Sequence, residues 1–326
     1  MKSSLCKVSV YRPVLVLLAV LLCLAYGNAQ MIQGATHMVP SGKGWGVEAA
    51  VPTGKATPTG GVCTTCGINY NGGPIMPGNV NVYFIWYGNW NGSGNNTATT
   101  VNQLTALFGG TGALGGSGYE KINTTYADTV NIVTGNLAHA GTDQYPGYSS
   151  GTKLRDASIK QITTNYINQM QGGVPDPNGL YFVLTSSDVN ETSGFCTKYC
   201  GWHTHASING VDVKYSFVGN PDRCPSACEA ESTAPSGDSA ANGMASIMAH
   251  ESEEAISDPD LNAWYDSSGY ENADKCAWKF GPESTASNGS FYNQTLGGYQ
   301  WLIQMNWENM SGGGCAQTYG GTFYTK

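Results

Sequence analysis

Apolar and polar positions along this chain fall into a few strongly patterned runs separated by Gly- and Asn-rich punctuation. "VNVYFIWYGNW" (80–90) is nearly continuous in β-branched and aromatic residues and ends near Gly and Asn, which predicts a buried strand. In "TATTVNQLTALFGG" (97–110), Val101, Leu104 and Leu107 recur at helical spacing before a glycine stop. "KLRDASIKQITTNYINQM" (153–170) repeats that pattern with Leu154, Ile159, Ile162 and Ile167, followed by Gly172. "GLYFVLTSS" (179–187) and "VDVKYSFVGN" (211–220) read as two further strands. The order strand, helix, helix, strand, strand, helix predicts an α+β fold, with a mixed sheet packed with helices in a disulfide-stabilised single domain.

The last predicted helix lies in "SGDSAANGMASIMAHESEEAISDPD" (236–260), with Ser and Asp near its start. Pro259 disfavours helical geometry at Asp258, so the helix should end around Ser257, with Met244, Ile247, Met248, Ala255 and Ile256 turned to the core. Six ionisable residues then fall within eleven positions: His250, Glu251, Glu253, Glu254, Asp258 and Asp260. His250 and Glu254 are four apart and share one helix face, while Glu251 flanks it about 100° round the axis. A zinc hydrolase needs two ligands one turn apart and a carboxylate beside them to take a proton from water. Here HExxH reads HExxE, and the added carboxylate lets Mn²⁺ or Ca²⁺ compete with zinc. On this reading His250 and Glu254 are metal ligands and Glu251 is the general base. The third ligand is Asp260, ten residues after His250, or Glu271 in "GYENADKC"; Asp258 and Asp274 remain as orienting residues or substitutes. Glu253 points away from Glu254, so its loss is expected to matter little. The competing reading is a solvated acidic face at a helix end.

Charge narrows the partners. The first residues carry two lysines and an arginine before "PVLVLLAVLLCLAYGNA", which reads as a secretory signal over 1–29. Its removal changes the net charge of −8 to −8 − 3 = −11, which favours neither nucleic acid nor an anionic membrane. No later segment is apolar enough to span a membrane. Residues 30–78, rich in Gly, Thr and Pro, are expected as an extended arm and 79–326 as the domain. Eight cysteines remain outside the signal, an even number that fits disulfides in an oxidising compartment. Nearness in sequence pairs Cys63 with Cys66, Cys196 with Cys200, Cys224 with Cys228, and Cys276 with Cys315.

Other chemistry is less sharply marked. In "CGWHTHAS", His203 and His205 would share one side of a strand and could meet a metal, but the cysteines before them favour a loop. His37 and His139 lie in polar surroundings with no partner nearby in sequence. There is no GxSxG elbow to support a serine triad. The 8 tryptophans and 19 tyrosines suit either a glycan platform or an ordinary aromatic core. Seven Asn-x-Ser/Thr sequons stand at Asn91, Asn95, Asn123, Asn190, Asn288, Asn293 and Asn309.

"VNVYFIWYGNW", "YCGWH" and "VGNPDRCPSAC" resemble, in this order, segments of the Exordium or phosphate-induced protein family, over roughly residues 70–320. The resemblance implies an extracellular or cell-wall protein without an established catalytic activity, and it supports pairing Cys224 with Cys228. "AHESEEAISDP" resembles a HExxEAxTDP form of microbial relatives rather than the plant pattern, which implies a zincin-like sheet followed by an active-site helix. The expectation is therefore a secreted protein with a zinc peptidase-type site acting on an extracellular peptide or wall component. The alternative is a non-catalytic matrix protein whose acidic cluster is structural or binds calcium or glycan.

Overall fold

Continuous apolar runs are what strands buried on both faces require, and they form the centre of the molecule. In the computed structural model, which describes residues 67–91, 97–310 and 313–324, six strands make the main sheet. They are β1 (Asn79–Tyr87), β2 (Asn136–His139), β3 (Gln144–Gly147), β4 (Gly179–Thr185), β5 (Gly201–Ile208) and β6 (Val211–Gly219). The order is β2-β1-β4-β6-β5, with β3 alongside the end of β1. All pairings are parallel except β5 with β6. Every residue of β4 is buried, as its unbroken apolar sequence demands.

Three helices of more than two turns cover this sheet: α1 (Ala98–Gly109), α2 (Asp156–Met170) and α3 (Ser239–Ser257). Alternation of side chains along the strands sorts them into layers. Phe108 of α1 meets Phe84 and Phe182, while Tyr166 of α2 meets Tyr83 and Tyr181 from the opposite face. Ile247 of α3 packs against Gly201, whose sheet partner Val218 is in register with Leu184 and Trp86 on the Phe182 side. So α1 and α3 share one layer and α2 forms the other. Helices placed between parallel strands make this a mixed α/β domain, with the expected mixed sheet packed with helices and stabilised by disulfides.

The strand β5 replaces the loop expected around His203. It pairs with β6 along its whole length, through the two-residue turn Asn209–Gly210. Both turn residues have positive φ, 50° and 84°, the conformation that an Asn-Gly hairpin turn requires.

Helix α3 begins and ends where its sequence indicates. Asp238 caps it by accepting the Ala241 N–H at 2.9 Å, and the hydroxyl of Thr100 in α1 donates to the other Asp238 oxygen at 2.6 Å. The Asp258 N–H closes the last turn on the Glu254 carbonyl at 2.7 Å. Between these ends 18 of the 19 residues are buried, so the helix has no solvated face. The side away from the sheet is covered by an extended strap. The Leu302 N–H donates to Asn242 Oδ1 (3.0 Å), the Gln304 N–H to Ser246 Oγ (3.1 Å), and Asn306 Nδ2 to Glu253 Oε2 (2.6 Å). The end of the expected arm also belongs to the domain: Ile68, Ile75 and Met76 are buried, and Asn69–Tyr70 pairs with Trp264–Tyr265. The signal, His37, Asn95 and the Cys63/Cys66 pair lie outside the described residues.

Two of the disulfides expected from sequence nearness are corrected. Cys196 bonds Cys224 and Cys200 bonds Cys228, while Cys276–Cys315 is as expected. Both members of each Cys-x₃-Cys segment face the other segment, so two parallel bridges staple the start of β5 to the turn Pro225–Cys228 that precedes α3. Each closes 28 residues, a loop for which about 3–4 kcal/mol is the expected chain-entropy stabilisation. Trypsin cuts after Lys198 and Arg223, so a non-reduced digest should yield one three-peptide species linking the Cys196, Cys200 and Cys224/Cys228 fragments. A free Cys224/Cys228 fragment with an internal bridge would refute the crossed pairing.

A candidate metal centre between helix, edge strand and loop

Three elements converge on the middle of α3. The helix supplies His250, Glu251 and Glu254. On β5, Gly201 leaves room for the helix: a Cβ there would stand 2.5 Å from Ile247 Cγ2 and 3.0 Å from Glu251 Oε1. His203, two residues on, faces the same way and enters the centre. The loop after α3 supplies Glu271 and Asp274, held by the Glu271 N–H to Asp274 Oδ2 (3.1 Å) and the Asp274 N–H to Glu254 Oε1 (3.0 Å). The Cys276–Cys315 bridge ties down its far end.

The donor atoms fall into two sets that share Glu254. In one, His250 Nε2 is 3.0 Å from Glu254 Oε1 and 3.5 Å from Asp274 Oδ1. In the other, His203 Nε2 is 3.2 Å from Glu271 Oε1 and 3.7 Å from Glu254 Oε2. Ligands about 2.1 Å from a tetrahedral ion stand about 3.4 Å apart, close to these spacings. Within each set the donor atoms lie within 4.8 Å of one another. All five side chains are buried, and Asp274 Oδ1 has no well-formed hydrogen bond.

Burial sets the electrostatics. Desolvation drives Glu251 and Glu271 well above the ordinary carboxylate range, and neighbouring carboxylates raise Glu271 further. Glu254 is pushed up to about 7 by burial and by Asp274, against the pull of His250. Burial, reinforced by the neighbouring histidines, lowers His203 to about 3, so its ring is neutral and free to ligate. Burial opposes charge on His250 too, but Glu254 and Asp274 hold it well above its usual value. The Gln304 amide nitrogen stands 2.6 Å from Nδ1 and also donates to the Ala273 carbonyl at 3.3 Å, which fixes the orientation of the ring. Lys275, the nearest cation in sequence, turns instead to Asp266 at 3.2 Å and over the Trp307 ring.

Of the sequence candidates, His250, Glu251, Glu254 and Glu271 come together, and Asp260 does not join them. Asp258 Oδ1 accepts the N–H groups of Asn262 (2.6 Å) and Ala263 (2.5 Å), which turns the chain at the helix end. Asp260 is thereby carried to Lys214 (2.7 Å) and His205 (3.6 Å) on the outer part of the β5–β6 hairpin. Asp274, a fallback in the sequence reading, stands beside His250 instead. His203 was hidden by the loop reading of its segment, although Asn209–Gly210 between apolar runs was a hairpin signal.

Glu253 also departs from expectation. It is fully buried on another side of α3, facing Glu120 and the Asn306 amide, while Asn123 and Asn272 donate to its carbonyl at 2.9 and 3.2 Å. Asn123, one of the seven sequons, is thus fully buried with its amide nitrogen committed, and cannot carry a glycan in this fold.

The comparisons agree with the sequence motifs. The phosphate-induced protein 1 conserved region matches residues 68–309, and the chain belongs to that family. It is 30% identical to Protein EXORDIUM-like 3 of Arabidopsis thaliana over 280 residues, which is 74% of this chain and 81% of that protein. It is 26% identical to Protein EXORDIUM-like 5 of the same plant over 277 residues, 74% of this chain and 75% of the relative. Protein EXORDIUM itself is 27% identical over 169 residues, about half of either chain. No solved structure matches. Among the described residues no helix is long and apolar enough to cross a membrane.

Two measurements follow from the side of α3 around Glu253. Glu253→Ala should cost roughly 1–3 kcal/mol in urea unfolding, because it orphans the Asn306 amide in a dry site. Glu120, which faces Glu253, is raised by burial from its ordinary 4.5 to about 8. The folded state therefore holds this proton where the unfolded state has released it, and stability should fall as pH rises through that window. Glu120→Gln should flatten the fall; an unchanged slope would mean that Glu120 is ionised in the folded protein.

Proposed function

We propose that this family member is an exported metalloprotein whose centre on α3 carries out metal-assisted hydrolysis, with zinc as the first candidate ion and Mn²⁺ or Ca²⁺ as alternatives. His250 and Glu254 bind the metal together with Asp274. Glu251 takes the proton from the attacking water, and the substrate class is an extracellular peptide or wall component. The observation that carries the reading is a carboxylate, Glu251, that stands next to this ligand set almost fully buried, with Oε1 turned to the space that Gly201 leaves open. A carboxylate in that state is a stronger base than a solvated one. A helix carrying the ligands beside an antiparallel edge strand also fits the zincin-like arrangement. The disulfides fit an oxidising, extracellular setting.

A second reading, a non-catalytic matrix protein whose ion staples α3 to its loop, is favoured by the depth of the ligands. The cleft lined by Ser246, Ile247, Trp278, Phe280 and Gln304 reaches His250 only through Gln304, on the Nδ1 side. Elemental analysis and hydrolysis of a peptide library by wild type and Glu251→Gln separate the two. The hydrolase reading expects metal in both proteins and cleavage only by wild type. Metal in both without cleavage by either, with a fall in Tm on chelation, establishes the structural reading.

A further inference from the structure

We infer that the centre holds two divalent cations bridged by Glu254, an inference that rests on the metal reading above and extends it. The first ion takes His250 Nε2, Glu254 Oε1 and Asp274 Oδ1, and the second takes His203 Nε2, Glu254 Oε2 and Glu271.

Geometry makes one ion insufficient. Ligands on opposite sides of an ion with bonds of about 2.1 Å are about 4.2 Å apart. Among the described residues, no set of donor atoms mutually within 4.8 Å includes both histidines. Glu254 belongs to both sets and offers a different oxygen to each. This is how a bridging carboxylate sits between two ions about 3.5–4 Å apart in two-metal sites.

Charge points the same way. Glu251, Glu254, Glu271 and Asp274 bring four carboxylates into a space with two imidazoles. Lys275 is committed to Asp266 and Lys214 to Asp212 and Asp260. Carboxylates out of water must be paired, protonated or metal-bound. Two divalent ions compensate all four carboxylates when they are ionised. An independent observation is the unsatisfied buried Asp274 Oδ1 beside His250, a lone pair directed at the first ion's place.

The test is Mn²⁺ titration of the full exported chain, with bound metal counted by elemental analysis and exchange coupling read by electron paramagnetic resonance. Wild type should bind two equivalents and show the spectrum of a coupled pair. His203→Ala and Glu271→Gln should each bind one and show an isolated ion, as should Asp274→Asn. Glu254→Gln should lose coupling and retain less than one tightly held equivalent. Far-UV circular dichroism checks each variant, and the wild-type count and spectrum need no variant at all. One equivalent in saturated wild type without coupling overturns the second ion and leaves the α3 site standing; none overturns both.

Discussion

The cost of taking carboxylates out of water organises this protein. Helix α3 runs through the interior with Glu251, Glu253 and Glu254 in one turn, and Asp258 closes it. None of these groups reaches bulk solvent, so each side of the helix must bring its own compensation. Around Glu253 this consists of the Asn306 amide and of protonation, which burial and the neighbouring Glu120 favour. On the sheet side it consists of two histidines, the Asp274 N–H and the protonated forms that burial favours for Glu251 and Glu271.

The remaining architecture holds these groups in place. The parallel sheet presents its one antiparallel edge strand to the helix, and two disulfides anchor the start of that strand against the turn before α3. A third anchors the loop that carries Glu271 and Asp274. The strap 302–306 runs along the polar side of α3 and reaches Asn242, Ser246, His250 and Glu253 in succession, one helical turn at a time. Side chains delivered from a helix, a strand and a loop that are each covalently or hydrogen-bonded in place are held in a fixed mutual arrangement.

Family membership covers nearly all of the described domain, since the matched region, 68–309, contains each residue of the centre. It therefore includes β5, α3 and the loop with Glu271 and Asp274 as one unit. The fold shows why "CGWH" and "HESEEA", separated by more than forty residues, belong together: Gly201 admits the helix and His203 meets Glu254.

What the sequence by itself determined is local. The ends of α3 followed from Asp238 and Pro259, the buried strands from their unbroken apolar runs, and the pairing of His250 with Glu254 from helical spacing. These are properties of a few consecutive dihedral angles and are written in consecutive residues. The tertiary structure decided everything that depends on distant segments meeting. It carried Asp260 to Lys214 and set Asp274 beside His250, because the Asp258 turn redirects the chain; it brought in His203, because β5 pairs with β6; it exchanged disulfide partners, because two Cys-x₃-Cys segments face each other. It also turned Glu253 from an apparently solvated acid into a buried one, since the strap that covers it lies fifty residues further on. Spacing along a helix fixes direction, but burial and ligation depend on what the rest of the chain places opposite, and that is set only when the layers close.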